Sequence, residues 1–180
     1  MRVNNHYIIM ALWNDIHFRT GDATQPVGEG NKLIVHICND IGHWGGGFTA
    51  SVSHHWFKPE IAYHHYHTIN DTAEPLELGM IQIVKVEADL WVVNLIGQHG
   101  TGGRGQIVPP IRYEAVRKGL ERVKRVAERK NASVHMPRIG CGLAGGTWGR
   151  IQPLIQNELT SKGIEVTVYD LPAGGGGRVG

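Results

Sequence analysis

The residues able to do chemistry in this sequence gather in two glycine-rich stretches. One is Gly42-His43-Trp44-Gly45-Gly46-Gly47; the other is Arg138-Ile139-Gly140-Cys141-Gly142-Leu143-Ala144-Gly145-Gly146. Glycine lets a main chain approach an anion closely, and successive N–H groups beside a helix N-terminus supply a positive field. A lone loop of this kind is most simply a connecting turn. Two of them, each after a strand and before a helix, suit the paired phosphates of one nucleotide at the carboxyl end of an α/β sheet. Beside the first loop stand Asn39, Asp40 and His43. An aspartate can orient or deprotonate a water and a histidine titrates near neutrality, which is the chemistry of hydrolysis. The competing reading gives Asn39 and Asp40 to a turn and His43 to solvent.

Other motifs are weaker. Gly140, Gly142 and Gly145 satisfy GxGxxG after a strand, which leaves an NAD(P)-binding oxidoreductase as an alternative. That fingerprint normally opens the first βαβ unit, with an acidic residue about 20 positions on. Here it precedes the last helix and strand, and the acidic residue is Asp170, 25 positions beyond Gly145 (170 − 145). No GxxxxGK[ST] occurs, and Cys141 is followed six residues later by Thr147 rather than the arginine of a cysteine-phosphatase loop. Eleven histidines include the clusters His54-His55 and His64-His65-Tyr66-His67. Neighbouring histidines on a helix point about 100° apart and do not share an ion easily. They lack the spacing of a metal site, so they read as solvated or packed, with no metal and no cofactor expected.

The elements that must position these residues follow an alternating strand and helix pattern. Ile16 to Gly21 reads as a short strand and Leu33 to Cys38 as a buried one. Phe48, Val52 and Trp56 share one helix face at four-residue spacing, and Pro59 opens a second helix through His67. Met80 to Glu87 and Leu90 to Ile96 form two strands joined at Ala88-Asp89. Gly97 to Gly105 is a flexible loop, and His99 and Arg104 in it are candidates to reach a phosphate. Pro109-Pro110 starts the longest helix, whose stripe is Val116, Leu120, Val123 and Ala127. Ser133 to Met136 is a strand, Ile151, Leu154, Ile155 and Leu159 mark the last helix, and Ile164 to Tyr169 the last strand. The fold class is therefore α/β. One domain spans residues 15–172, behind an N-terminal extension (1–14) and before a disordered Gly-rich tail (173–180).

Composition agrees. In 180 residues, 41% are apolar, enough for a core, and a net charge of +2 gives no electrostatic case for a DNA or membrane binder. Two cysteines without a framework, Cys38 and Cys141, and no apolar run of membrane length lead us to expect a cytoplasmic protein.

The order Gly21-Asp22-Ala23-Thr24, Val35-His36-Ile37-Cys38-Asn39-Asp40 leading to Gly45-Gly46-Gly47, and Met136-Pro137-Arg138-Ile139-Gly140-Cys141-Gly142-Leu143 resembles the macrodomain family. The last stretch, with Trp148 and Val166-Thr167-Val168-Tyr169, is most similar to the branch holding the terminal ADP-ribose glycohydrolase and the antitoxins that reverse DNA ADP-ribosylation. This resemblance implies a three-layer α/β/α fold with a central mixed sheet. It also implies a ligand that is ADP-ribose or an ADP-ribosylated protein or nucleic acid. Asp22, with Ala23, would accept a hydrogen bond from the adenine; a turn or capping carboxylate is its plainer role. Gly45, Gly46, Gly47 and Phe48 would wrap the distal ribose and phosphates. Gly140, Cys141, Gly142, Leu143, Ala144 and Gly145 would offer backbone donors to the diphosphate. Tyr169 and Leu171 would pack near the adenine, with core packing the rival role for Tyr169.

The resemblance also marks a departure. The glycohydrolase of this branch uses a lysine and an aspartate where this chain has Gln98 and Ala144. Neither can serve as a nucleophile or a base. The expectation is an ADP-ribose-binding hydrolase, acting on ADP-ribosyl linkages or ADP-ribose 1″-phosphate through a water near Asn39, Asp40 and His43. A non-catalytic reader is the alternative. Neither the oligomeric state nor the modified residue is legible.

Overall fold

Continuous apolar runs need burial on both faces, and the strand Asn31–Asn39 is the clearest case: Leu33, Val35 and Ile37 pack in one core and Ile34 in another. A computed structural model describes residues 15–69, 76–102 and 106–173, with backbone alone at 66–69. The expected extension (1–14), the tail beyond residue 173 and Arg104 lie outside the described residues.

Six strands form one sheet: β1 (His17–Thr20), β2 (Asn31–Asn39), β3 (Ile81–Glu87), β4 (Leu90–Gln98), β5 (Ala132–Pro137) and β6 (Val166–Asp170). Their order is β1-β6-β5-β2-β4-β3. All neighbours are parallel except the β3–β4 hairpin, so the sheet is mixed. Helices α1 (Phe48–His55) and α2 (Lys58–Ile69) cover one face; α3 (Tyr113–Lys130) and α4 (Trp148–Glu158) cover the other. The result is the expected three-layer α/β/α fold.

Helix α3 buries Val116, Leu120, Val123 and Ala127 as the spacing predicts, and Gly119 lies in the same stripe. A Cβ at Gly119 would collide with Leu95, its Cδ1 only 2.6 Å away, so this helix seats closer to the sheet than any side chain permits. Three boundaries differ from expectation. Gly97 belongs to β4, where Ile37, Val116 and Leu95 surround the space its side chain would need. Pro109-Pro110 does not begin α3: proline favours extended backbone in the residue before it, and Ile111 instead bridges Gln98 before the helix opens at Tyr113. Trp56 lies one residue past α1 in extended conformation, yet still packs with Phe48 and Val52.

Two histidines are buried in the sheet. The His36 Nε2 meets Asn94 Oδ1 at 2.7 Å, and Asn94 Nδ2 donates to Pro59 O at 3.0 Å and Gln82 Oε1 at 3.1 Å, tying α2 to β2, β3 and β4. His135 lies between Ser133 Oγ (2.8 Å) and the Tyr169 hydroxyl (2.9 Å). Burial lowers both imidazoles from 6.5 to about 4. The unfolded chain therefore takes up these protons first as the pH falls. The stability the neutral rings contribute is intact above about 6.5 and is lost on descending toward 4. Between pH 7 and pH 5 the unfolding free energy from denaturant titration should drop by about 2 kcal/mol per histidine. Equal stabilities at the two pH values would contradict the burial of these rings.

Candidate functional site

Because β2, β4 and β5 are adjacent and parallel, the loops leaving their carboxyl ends share one rim of the sheet. Between them lies a cleft of about 310 Å³. The two glycine-rich loops form opposite walls, close enough that a Cβ at Gly46 would stand 3.3 Å from Leu143 Cδ1. The third wall is the end of β4 and the segment after it, with Gln98, Thr101 and Gly102.

Side chains hold the first loop in shape. The Asn39 Oδ1 accepts the N–H groups of Ile41 (3.2 Å) and His43 (3.0 Å), and its Nδ2 donates to His43 O at 2.5 Å. The buried Tyr63 hydroxyl lies within 2.8 Å of both the carbonyl and Oδ1 of Asn39, and burial raises its pKa so that it remains a donor. Thr49 Oγ1 accepts from Gly45 N at 3.0 Å and donates to Gly46 O at 2.7 Å. Trp44 presents its indole to the cleft while Nε1 donates to Ser53 Oγ, which donates to Glu60 Oε2, both at 2.7 Å. Gly47, with φ 58° and ψ −132°, has a conformation open to glycine alone. It precedes α1 without a side-chain cap, and no acidic residue occupies the first turn. The first-turn N–H groups of α1 thus meet the cleft uncapped, a favourable end for an anion.

The second loop is a tight coil. Gly146 N donates to Gly140 O at 2.8 Å and Gly145 N to Gly142 O at 3.0 Å. Gly140 has φ +70°, and Ile111 Cδ1 stands 2.7 Å from where its Cβ would be. The consecutive N–H groups of Gly142, Leu143 and Ala144 find no acceptor among the described residues, which leaves three backbone donors in a row. Ala144 itself is buried, and its carbonyl accepts Ile111 N.

The cleft gathers many of the expected residues and leaves out others. Asn39, His43, Gly46, Gly47, Phe48, Gly140, Leu143 and Ala144 line it. Gly45, Cys141, Gly142 and Gly145 shape the loops without lining it. Asp40 does not line it either: it is buried, with both carboxylate oxygens bound to His99 and Gly100. Asp22, Ala23, Tyr169 and Leu171 sit farther along the rim, at the ends of β1 and β6. Asp22 Oδ1 accepts the Thr24 N–H and hydroxyl in a turn, and its Oδ2 has no partner among the described residues. Tyr169 is 4% exposed with its hydroxyl on Val27 N and His135, which is core packing, whereas Leu171 is 42% exposed. Trp44, Thr49 and Thr101 were not singled out from sequence. A tryptophan against the glycine triplet and a threonine in the first turn of α1 were the available signals.

Among the described residues lining the cleft, none is Asp, Glu, Lys or Arg. Its titratable groups are His43 and Cys38, whose thiol is pushed up by burial and stays protonated. A dinucleotide site of the GxGxxG kind needs a free acid at the next strand's end, but Asp170 accepts from Nε and Nη2 of Arg138 at 2.6 and 2.8 Å. Arg138 in turn stacks on Phe18 and Trp148. The exposed His54 and His55 pack ring against ring, and no group of three metal-ligating side chains occurs among the described residues. No helix among them is long and apolar enough to cross a membrane.

No family model matches the chain. Mouse chromodomain-helicase-DNA-binding protein 1-like is 30% identical over 167 residues, 87% of this chain, and the chain spans 18% of that protein's length. Bovine ADP-ribose glycohydrolase OARD1 is 37% identical over 60 residues, 33% of this chain and 40% of that protein. Among solved structures, a protein of unknown function from Bacteroides thetaiotaomicron has a TM-score of 0.82 at 50% identity, covering 87% of this chain and 98% of its own. A macrodomain protein from Streptomyces coelicolor has a TM-score of 0.75 at 49% identity, covering 87% and 99%. Thermosipho africanus DarTG in complex with ADP-ribose is alike in fold, with a TM-score of 0.59 at 20% identity over 78% of this chain and 38% of that one.

Proposed function

The chain belongs to the macrodomain family, and from that membership we propose that its cleft binds ADP-ribose, free or attached to a protein or nucleic acid. One observation carries the reading: the α1 N-terminus after the first glycine-rich loop and the N–H groups of the second, without acceptors among the described residues, face a single cleft that no acidic side chain among those residues lines. Backbone donors can hold a diphosphate without a cation, because each N–H dipole is fixed before the ligand arrives. Asp22 Oδ2, without a partner among the described residues, would accept from the adenine amino group, and the exposed Leu171 would offer the base an apolar surface.

Hydrolysis is the second reading, favoured by the polar side chains on the cleft. Gln98 donates through Nε2 to Gly100 O, which leaves Oε1 as an acceptor toward a water. Asn39 has a second amide hydrogen, and the exposed His43 can take a proton. With Asp40 bound elsewhere, these three would hold and activate the water. The oxidoreductase alternative has no comparable support.

The test is calorimetric titration with ADP-ribose, with NADH as competitor, followed by incubation with ADP-ribosylated protein, ADP-ribosylated DNA and ADP-ribose 1″-phosphate. ADP-ribose should bind in preference to NADH; the reverse order would refute the reading. Released product from any of the three would establish hydrolysis, and none from all three would leave a reader. Asp22→Ala should weaken binding by about 1.5–3 kcal/mol, the scale of a hydrogen bond to a charged group, and an unchanged dissociation constant would remove Asp22 from the adenine. Gly46→Trp should abolish binding while the protein keeps its fold, since the new side chain must enter the gap to Leu143. Retained affinity would mean that the ligand does not pass between the loops.

A further inference from the structure

Asp40 directly follows Asn39 at the start of the first loop, yet it does not line the cleft. Its side chain is 2% exposed. His99 Nδ1 lies 2.7 Å from Oδ2, and Gly100 N donates to Oδ1 at 2.8 Å. The Asp40 N–H donates to Gln98 O at 3.0 Å, and its carbonyl accepts Leu76 N at 2.7 Å. A carboxylate removed from water is costly unless donors replace the solvent it has lost. Asp40 therefore constrains the donors around it, and those donors belong to the third wall of the cleft. Gln98, Thr101 and Gly102 line that wall, and Gly102 lies so near the second loop that a Cβ there would be 2.9 Å from Leu143 O. A small outward movement of residues 99–102 would widen the cleft along one whole side.

We infer that Asp40 and His99 are positioning residues, a clasp that draws the segment after β4 down onto the cleft and sets its width without touching the ligand. This rests on the cleft being the ADP-ribose site for its effect on affinity; the clasp itself is a property of the free protein. Asparagine at position 40 preserves it, because its side-chain oxygen can accept Gly100 N and its amide can donate to a neutral His99 Nδ1.

The experiment is amide hydrogen exchange on the full chain, paired with ADP-ribose titration. Gly100 N should be protected in the wild type, and Thr101 N, which has no acceptor among the described residues, should not. Asp40→Ala and His99→Ala should each speed exchange at Gly100 and weaken ADP-ribose by about tenfold, without a matching change in global stability. The double variant should be no weaker than the poorer single one, because both remove the same clasp. Asp40→Asn should restore protection and affinity. Equal exchange at Gly100 and Thr101 in the wild type, or effects that simply add in the double variant, would overturn the clasp. If Asp40→Ala does not fold, His99→Ala and Asp40→Asn decide the matter. A wild type that fails to bind ADP-ribose would sink the proposed function, while the exchange measurements would still decide the clasp.

Discussion

Two parallel strands that end side by side oblige the loops after them to meet. β2 and β5 pair from Asn31 opposite Ala132 to Ile34 opposite His135, so the chain leaves Asn39 and Pro137 at the same rim of the sheet. Each departure is followed by glycines and then by a helix on the opposite face of the sheet, α1 after β2 and α4 after β5. The approach of Gly46 to Leu143 is the local result of that pairing. Reversing either strand would move one loop to the far end of the molecule, and no cleft would remain.

A cleft lined by neutral groups must rely on the direction of its backbone dipoles. That explains how the polar side chains near it are used. Asn39, Thr49 and Tyr63 spend their hydrogen bonds on the first loop. Asp40 does the same for the segment after β4. Trp44 is held through Ser53 and Glu60, which links the cleft wall to both helices of that face. Such groups order the main chain before a ligand is present, so less ordering entropy opposes binding.

Much of this was legible from local pattern. The run through β2, the four-residue spacing of Phe48 and Val52 and the stripe of α3 depend on periodicity alone, and they appear where periodicity puts them. The two glycine loops were legible for the same reason, since strand, glycines and helix are consecutive in the chain. What could not be read was direction and partner. Asp40 next to Asn39 looks like a turn or a base, and nothing local reveals that His99, 59 residues on, will take one of its oxygens. Gly97 reads as loop because its neighbours are glycine-rich, yet the packing of Ile37 and Val116 around it decides for strand. Proline in pairs suggests a helix start, but the bridge from Ile111 to Gln98 is a tertiary contact. Tyr169 ends in the core because His135 and Val27 supply partners for its hydroxyl from distant strands and loops.

The missing side chain at Gly119 reaches further than its own neighbourhood. Where α3 begins, Arg112 N donates to Gly97 O and the Tyr113 hydroxyl accepts Thr147 N at 3.1 Å. The helix is therefore a rod joining the mid-sheet contact with Leu95 to the base of the second loop. Gly119 and Tyr113 both lie in the N-terminal half of the helix, so the depth at which it seats on Leu95 also places the hydroxyl that holds Thr147, where the second loop ends.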